Sequence, residues 1–260
     1  MRKIVSISLL TSISLFAEIS ATDVASKYTS KTSPVKYSAK PVQSIDFGFA
    51  NTSGNTKTLN LNGKYSLSHI IENETYEPFR YNFQATAYVS KDNGKKTAQE
   101  LTATLNGEQD FIDNWLGYVA IGWLRDEFKN YDNKFSFAVG IGKTLIDDGK
   151  QKLVLKLGPA YNIEQFSNDQ ADNKFGSINE YLEYSYIFNP YSNMYLKLGA
   201  MENFDDPKTD YESTALLGLD FALNEALHVS IEEELNYDNL PAIGFKKSDT
   251  KSIIRVGYKF

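Results

Sequence analysis

The feature that most constrains the fold is an alternation of apolar and polar residues that recurs along almost the whole chain. In the third run, Phe79, Tyr81 and Phe83 alternate with Arg80 and Asn82. Successive side chains of a β-strand point to opposite faces, so a period of two predicts strands with one apolar face. Twelve such runs lie near 42–51, 57–69, 79–90, 96–108, 115–127, 133–145, 151–165, 176–188, 193–203, 210–223, 226–237 and 249–260.

The connections between the runs also alternate, in length. Residues 147–150, 189–192 and 224–226 are short and suit hairpin turns, whereas the intervening connections 167–174, 205–210 and 238–248 are longer and polar. Two connections break the rule, because 52–56 is short and 70–78 is long. The pattern predicts an all-β fold, a 12-stranded antiparallel transmembrane β-barrel with up-and-down meander topology over residues 42–260.

The N-terminus has the pattern of a secretory signal peptide. Met1-Arg2-Lys3 is basic and the following run from Ile4 to Phe16 is apolar, too short to span a bilayer. We expect a signal peptide over 1–21, cleaved after Ala17 or after Ala21, and a periplasmic linker rich in Ser, Thr, Lys and Pro over 22–41. The mature protein is therefore predicted to be exported.

Charge and cysteine content exclude two classes of function. The formal net charge is -6, which argues against nucleic acid as a partner. The chain has no cysteine, so disulfides and thiol chemistry are excluded. We predict no cofactor and no metal.

Alternation alone does not say whether the apolar face meets a protein core or lipid. The apolar face persists over four or five alternate positions in a run, close to the length with which a tilted strand crosses a bilayer. Trp115 and Trp123 bracket the fifth run on one face, with Val119 and Ile121 between them, which is the arrangement of an interfacial aromatic girdle. The even strand number and the predicted export add support. We therefore predict a barrel in a bacterial outer membrane, with membrane lipid as its partner.

Closure of the barrel follows from the same reasoning. In lipid, every backbone N–H and C=O group needs a partner, so the last strand must pair with the first, near 42–51. The outward residues of the last strand are then Ile254, Val256, Tyr258 and Phe260, with Phe260 at the interface.

This terminal strand resembles the assembly signal of Gram-negative outer-membrane proteins, which implies recognition by the barrel-assembly machinery. Over 42–260 the chain also resembles the YdiY-like family of putative salt-induced outer-membrane proteins. The resemblance rests on the motifs Thr-Ser-Gly-Asn-Thr (52–56), Gly-Pro-Ala-Tyr (158–161), Lys-Lys-Ser-Asp-Thr (246–250) and Gly-Tyr-Lys-Phe (257–260). It implies a link to osmotic stress and brings no catalytic residues.

The inward face holds the candidate lumen residues. They are Asp46, Lys64, Arg80, Glu100, Lys156, Glu183, Lys197, Asp220, Glu232, Glu234 and Arg255, with Glu108, Lys152 and Lys259 also inward by register. The two signs balance, which argues against strong ion selectivity. We expect the charges to pair across strands and fill a narrow lumen; the alternative is a water-filled conduit for small solutes.

Several residues do not fit this scheme. Glu233 falls among the lipid-facing residues of its run, and we expect a bulge to turn it inward. The two histidines, His69 and His228, lack an evident nucleophile, and the spacing of Asn168, Asp169, Asp172 and Glu180 misses the calcium-loop pattern. Two alternatives stay open: a lipid or polysaccharide hydrolase of the outer membrane, and a soluble periplasmic barrel that binds an apolar ligand.

Overall fold

The computed structural model describes residues 38–53, 58–72, 74–92, 95–127, 129–242 and 244–260. The predicted signal peptide, and the predicted linker up to residue 37, lie outside the described residues. No helix in this part of the chain is long and apolar enough to cross a membrane.

Twelve β-strands follow one another along the chain, each pairing antiparallel with its sequence neighbours. They are β1 (Val42–Ser53), β2 (Thr58–Ile71), β3 (Phe79–Asp92), β4 (Lys95–Ile112), β5 (Trp115–Asp126), β6 (Tyr131–Asp147), β7 (Gln151–Phe166), β8 (Asn173–Asn189), β9 (Ser192–Asn203), β10 (Tyr211–Ala222), β11 (Leu227–Asp238) and β12 (Ser248–Lys259). The predicted up-and-down meander is confirmed.

The sheet closes on itself through β1 and β12. Ile45 pairs with Tyr258 and Phe49 with Ile254 along this seam. At its end, the backbone N–H of Phe260 donates to the carbonyl of Gln43 at 3.0 Å, and the Gln43 N–H donates back at 3.3 Å. Closure gives the edge strands their backbone partners, as the sequence predicts.

The two faces of most strands differ as the alternation predicts, although the inward face of β5 is also apolar. Apolar side chains cover the outside, where Phe47 is 68% exposed and Phe49 is 59% exposed. Polar and charged side chains line the inside, where Arg255 is 1% exposed. The soluble-barrel alternative requires the opposite arrangement and is therefore wrong.

One expectation about the strands is also wrong. Glu233 pairs with Leu217 of β10 and Ser252 of β12, and the register of these strands runs past it without a shift. No bulge turns the side chain inward, and Glu233 stays exposed on the outer surface. The register is fixed by many paired residues, so a single carboxylate does not reverse the faces of a strand.

The ends of the barrel differ in their connections. The end that carries residues 38–41 and Phe260, called the termini end below, has connections at 72 with 74–78, 113–114, 148–150, 190–191 and 223–226. The opposite end, called the far end, has among the described residues the connections 127 with 129–130, 167–172, 204–210, and 239–242 with 244–247. In the two-residue turn at the termini end of β4 and β5, Asp113 and Asn114 adopt φ values of 43° and 66°, which suits a tight hairpin.

Candidate functional site

The sequence-predicted lumen residues all lie on the inward face. Asp46, Lys64, Glu100, Lys156, Lys197, Glu232, Glu234 and Arg255 are buried there, and Arg80, Glu183 and Asp220 are half-buried. Glu108 is half-buried among them, whereas Lys152 and Lys259 are exposed near the termini end. The strand period alone positions these side chains, because every second residue of each strand points inward.

The middle of the lumen is organised around Arg255 of β12. Its guanidinium donates to Glu232 of β11 at 2.6 Å, to the Tyr88 hydroxyl of β3 at 2.6 Å, and to the Asn62 side-chain oxygen of β2 at 2.7 Å. The Tyr195 hydroxyl of β9 donates to the other oxygen of Glu232 at 2.8 Å. Five strands are therefore joined by one network of charge-assisted hydrogen bonds.

The Arg255 network is the first bridge across the lumen, and a second bridge lies on its far-end side. Lys251 of β12 contacts Glu100 of β4 across the interior and lies 3.5 Å from Glu234 of β11. The Asn236 amide also donates to Glu234, at 2.8 Å. Lys251 is absent from the sequence-predicted set, although it shares the inward parity of Ile253 and Arg255.

A third bridge crosses from β7 to β4. The Lys156 ammonium lies 2.5 Å from Glu108 and 2.8 Å from Glu183 of β8. Near it, on β3, Arg80 makes a bidentate contact with Asp110, at 2.5 and 2.8 Å.

A fourth bridge crosses the lumen near the far end. Lys134 of β6 lies 2.7 Å from Glu164 of β7 and 3.2 Å from Glu212 of β10. The described parts of the connection 239–247 lie over this bridge, where Ala242 is buried and helps to line a small cavity with Lys134 and Glu212. Sequence reasoning missed Lys134, Glu164 and Glu212, although Glu164 keeps the inward parity of Asn162 along its run.

Two small cavities lie beside these bridges among the described residues. The cavity beneath the connection 239–247 measures about 20 Å³, and one beside Glu108, Tyr118 and Lys156 measures about 10 Å³. Each has room for about one water molecule. An inward apolar cluster fills the β5–β9 side; it comprises Leu116, Tyr118, Ala120, Leu124, Tyr131, Ala138, Val154, Ala160, Phe175, Tyr181 and Met201.

The two histidines lie in different surroundings. His228 is buried in the lumen, where its Nε2 lies 2.6 Å from the Asp46 carboxylate. Gly257 of β12 lies between Asp46 of β1 and His228 of β11. A Cβ atom at Gly257 would lie 2.1 Å from Asp46 and 2.2 Å from the His228 ring. His69 lies near the end of β2, with Nε2 3.0 Å from the Ala39 carbonyl.

This arrangement does not form an activated nucleophile. The Ser44 hydroxyl donates to Asp46 at 3.0 Å, so the carboxylate lies between the hydroxyl and the imidazole of His228. A serine nucleophile needs its hydroxyl at the imidazole, with the carboxylate behind the ring.

The calcium candidates are not brought together. Asn168, Asp169 and Asp172 lie in the exposed connection 167–172, whereas Glu180 lies outward on β8. Within the described ranges, no three His, Asp or Glu residues are grouped to hold a metal ion.

The outer surface carries the predicted girdle and assembly residues. Trp115 and Trp123 lie outward on β5, half-buried; the Trp123 indole donates to Asn133 at 2.9 Å, and the Lys143 ammonium lies 4.6 Å from the Trp115 ring. Ile254, Val256, Tyr258 and Phe260 are exposed on β12 and its end, and the last two rings stack with centroids 6.3 Å apart.

Solved barrels of bacterial outer membranes share this fold at low sequence identity. An outer membrane channel from Pseudomonas putida F1 is 12% identical with a TM-score of 0.55, covering 88% of this chain and 100% of that one. The NanC porin is 12% identical with a TM-score of 0.51, covering 83% and 100%. The translocator domain of the autotransporter NalP from Neisseria meningitidis is 9% identical with a TM-score of 0.51, covering 85% and 89%.

The sequence comparisons are more specific about family than about function. The search of curated proteins finds no match. A family model described as "Protein of unknown function, DUF481" matches residues 45–260, which is almost the entire barrel. The chain therefore belongs to the DUF481 family.

Proposed function

We propose that this chain is a non-enzymatic outer-membrane barrel whose lumen is sealed in its resting state. The observation that carries the proposal is the set of bridges between strands that are not neighbours, such as Lys156 of β7 with Glu108 of β4 and Lys134 of β6 with Glu212 of β10. Side chains that meet across the interior, rather than along one wall, block the path of a solute.

Membrane placement rests on the outer surface. Its apolar residues need a hydrocarbon solvent, and the pairing of β1 with β12 satisfies the backbone without water. Export through the N-terminal signal, insertion by the barrel-assembly machinery and contact with membrane lipid belong to this proposal. They are supported by the terminal strand, whose outward residues alternate up to Phe260.

A gated conduit for small solutes is a second candidate, favoured by the composition of the seal. The bridges consist of side chains on the strands, so rotamer changes alone would open a path, without moving a plug domain. Charged side chains that lose their partners in this way would line the opened path with both signs of charge.

Conductance in planar lipid bilayers distinguishes a sealed lumen from an open one. The wild-type barrel is expected to show no steady conductance, and the double variant Lys156→Ala/Glu108→Ala is expected to show discrete conductance steps. The matched control is Lys152→Ala/Asp147→Ala, which removes an exposed pair, 3.1 Å apart, near the termini end and should stay silent. Steady conductance by the wild type would overturn the seal.

The resemblance to salt-induced proteins extends the proposal to osmotic stress. A barrel that is sealed by ion pairs would keep small solutes from crossing it when external salt changes. Protein abundance in cells before and after a rise in external NaCl tests this, and an unchanged abundance would contradict it.

A further inference from the structure

A polar pair lies within the apolar outer surface of β11 and β12. Glu233 is exposed between Ile231 and Leu235, which are 43% and 49% exposed, and its register partner Ser252 is exposed beside it. No hydrogen bond or ion pair joins the Glu233 carboxyl to the described part of the chain. Hydrocarbon offers no hydrogen-bond partner to a carboxyl group, so this site is costly for an isolated barrel in a membrane.

The same face has a groove beside an exposed aromatic ring. The groove has a volume of about 320 Å³ and is lined by Leu217, Leu219, Ile231 and Ile254, with Glu233 and Ser252 in its wall. Phe49 of β1 borders the groove, and its ring is 59% exposed.

We propose that this face binds a second copy of the chain in a two-fold dimer. An isologous interface needs a surface that complements itself. Here a hydroxyl donor and a carboxyl acceptor lie side by side, so that a two-fold axis between them sets Glu233 of each copy against Ser252 of the other. The exposed Phe49 ring of each copy then meets the groove of the other, because Phe49 and Leu219 lie in one register row on either side of the axis.

A second copy explains more of the surface than a lipid does. An acyl chain would fill the apolar groove but would leave the carboxyl of Glu233 without a donor. A second copy supplies both the ring for the groove and the hydroxyl for the carboxyl. Within a membrane, polar contacts of this kind favour association, because lipid already satisfies the apolar residues.

The inference rests on the proposed membrane location, and the experiment separates the two. Because the chain has no native cysteine, single cysteines report on one position each. Ile254→Cys lies at the groove, and Leu155→Cys lies outward on β7 as the matched control. A bifunctional thiol reagent is applied to native outer-membrane vesicles, and the products are sized on gels and by mass spectrometry.

The expected result is a product of twice the monomer mass at Ile254→Cys and little at Leu155→Cys. Adding Glu233→Leu should lower the product by about fivefold, on the scale of polar contacts in membranes. Adding Glu180→Leu, which removes another outward carboxylate three strands away on β8, should leave it unchanged. Thermal melting by circular dichroism verifies that each variant is folded.

Three results would overturn the dimer: equal cross-linking at both positions, a product unchanged by Glu233→Leu, or a monomer that retains a lipid at the groove. A product with another protein, of a mass other than twice the monomer, would also overturn it. If instead the wild-type chain is absent from the membrane fraction, the proposed location fails rather than the dimer.

Discussion

The two sides of the lumen solve the same packing problem with different chemistry. On the β5–β6 side, inward residues such as Leu116, Ala120 and Leu124 fill space as a hydrophobic core does. On the β11–β12–β1 side, Arg255 and Glu232 are just as buried but are held by ionic hydrogen bonds. The comparison shows that alternation specifies which face is inward, whereas the inward chemistry is free to vary.

The two sides should therefore respond differently to mutation. A truncated apolar residue leaves a cavity whose cost depends on how far its surroundings relax. A truncated ion leaves its partner charged, buried and unpaired, which costs more. Four comparisons test this difference, in order of decreasing expected effect.

The largest loss is expected for Arg255→Ala on the charged side. Glu232 would lose its closest cation, and the unfolding free energy should fall by about 3–5 kcal/mol. Denaturant unfolding in lipid vesicles measures the change. Lys64 lies 3.7 Å from Glu232, so the control is the triple variant Arg255→Met/Glu232→Leu/Lys64→Met, which should regain most of the loss. A triple variant as unstable as Arg255→Ala would contradict the ionic explanation.

Leu124→Ala tests the apolar side. Leu124 is fully buried, so its truncation should lower the unfolding free energy by about 2–4 kcal/mol through lost contacts and a cavity. Leu155→Ala, on the outer face of β7, is the control and should cost less, since lipid fills the space. Equal losses at the two sites would indicate that Leu124 does not pack in a dry interior.

Glycine substitutions compare an inward position of β12 with an outward position of β5. Gly257→Ala would push a methyl group against Asp46 and His228, with an expected loss of about 1–3 kcal/mol. At Gly117 on β5, no atom lies within 4 Å of the place that a Cβ would take, so Gly117→Ala should be neutral or stabilising by about 0.5 kcal/mol. The midpoint temperature of thermal unfolding should therefore fall for Gly257→Ala and stay unchanged or rise for Gly117→Ala.

The smallest effect is expected where the same ionic chemistry is exposed. Arg125 and Asp132 lie 3.2 Å apart with side chains 41% and 47% exposed, so Asp132→Asn should change the unfolding free energy by about 0–1 kcal/mol. The same denaturant assay applies, at low and at raised salt. A loss as large as that of Arg255→Ala would show that burial does not explain the comparison.

The sequence was sufficient for the fold because its signal is repeated. Twelve runs with one period fix the strands, their faces and their order, and closure follows from the need to pair Phe49 and its neighbours with Ile254 and its neighbours. Parity also placed Lys156 and Arg255 on the inward face. The bulge predicted at Glu233 is wrong, because the break in alternation there marks a polar residue on an unchanged strand and not a change in backbone register.

The contacts across the lumen could not be predicted from the sequence. Parity says that Lys251 and Glu100 point inward, but the distance between β12 and β4 depends on the tilt and shear of the closed barrel. The pairing of Lys134 with Glu212 has the same origin, since 78 positions separate them in the chain. The connection 239–247 carries no periodic signal, so its position over the far end could not be predicted.

The central claim is that the apolar face of the barrel contacts hydrocarbon while the opposite face is sealed inside. Fluorophores on single cysteines at Phe49 and Leu155 (outward) and at Thr102 and Ser177 (inward) test it in vesicles that contain brominated lipid. The account predicts strong quenching by the lipid at Phe49→Cys and Leu155→Cys and little at Thr102→Cys and Ser177→Cys. Equal quenching of both sets, or stronger quenching of the inward pair, would contradict it.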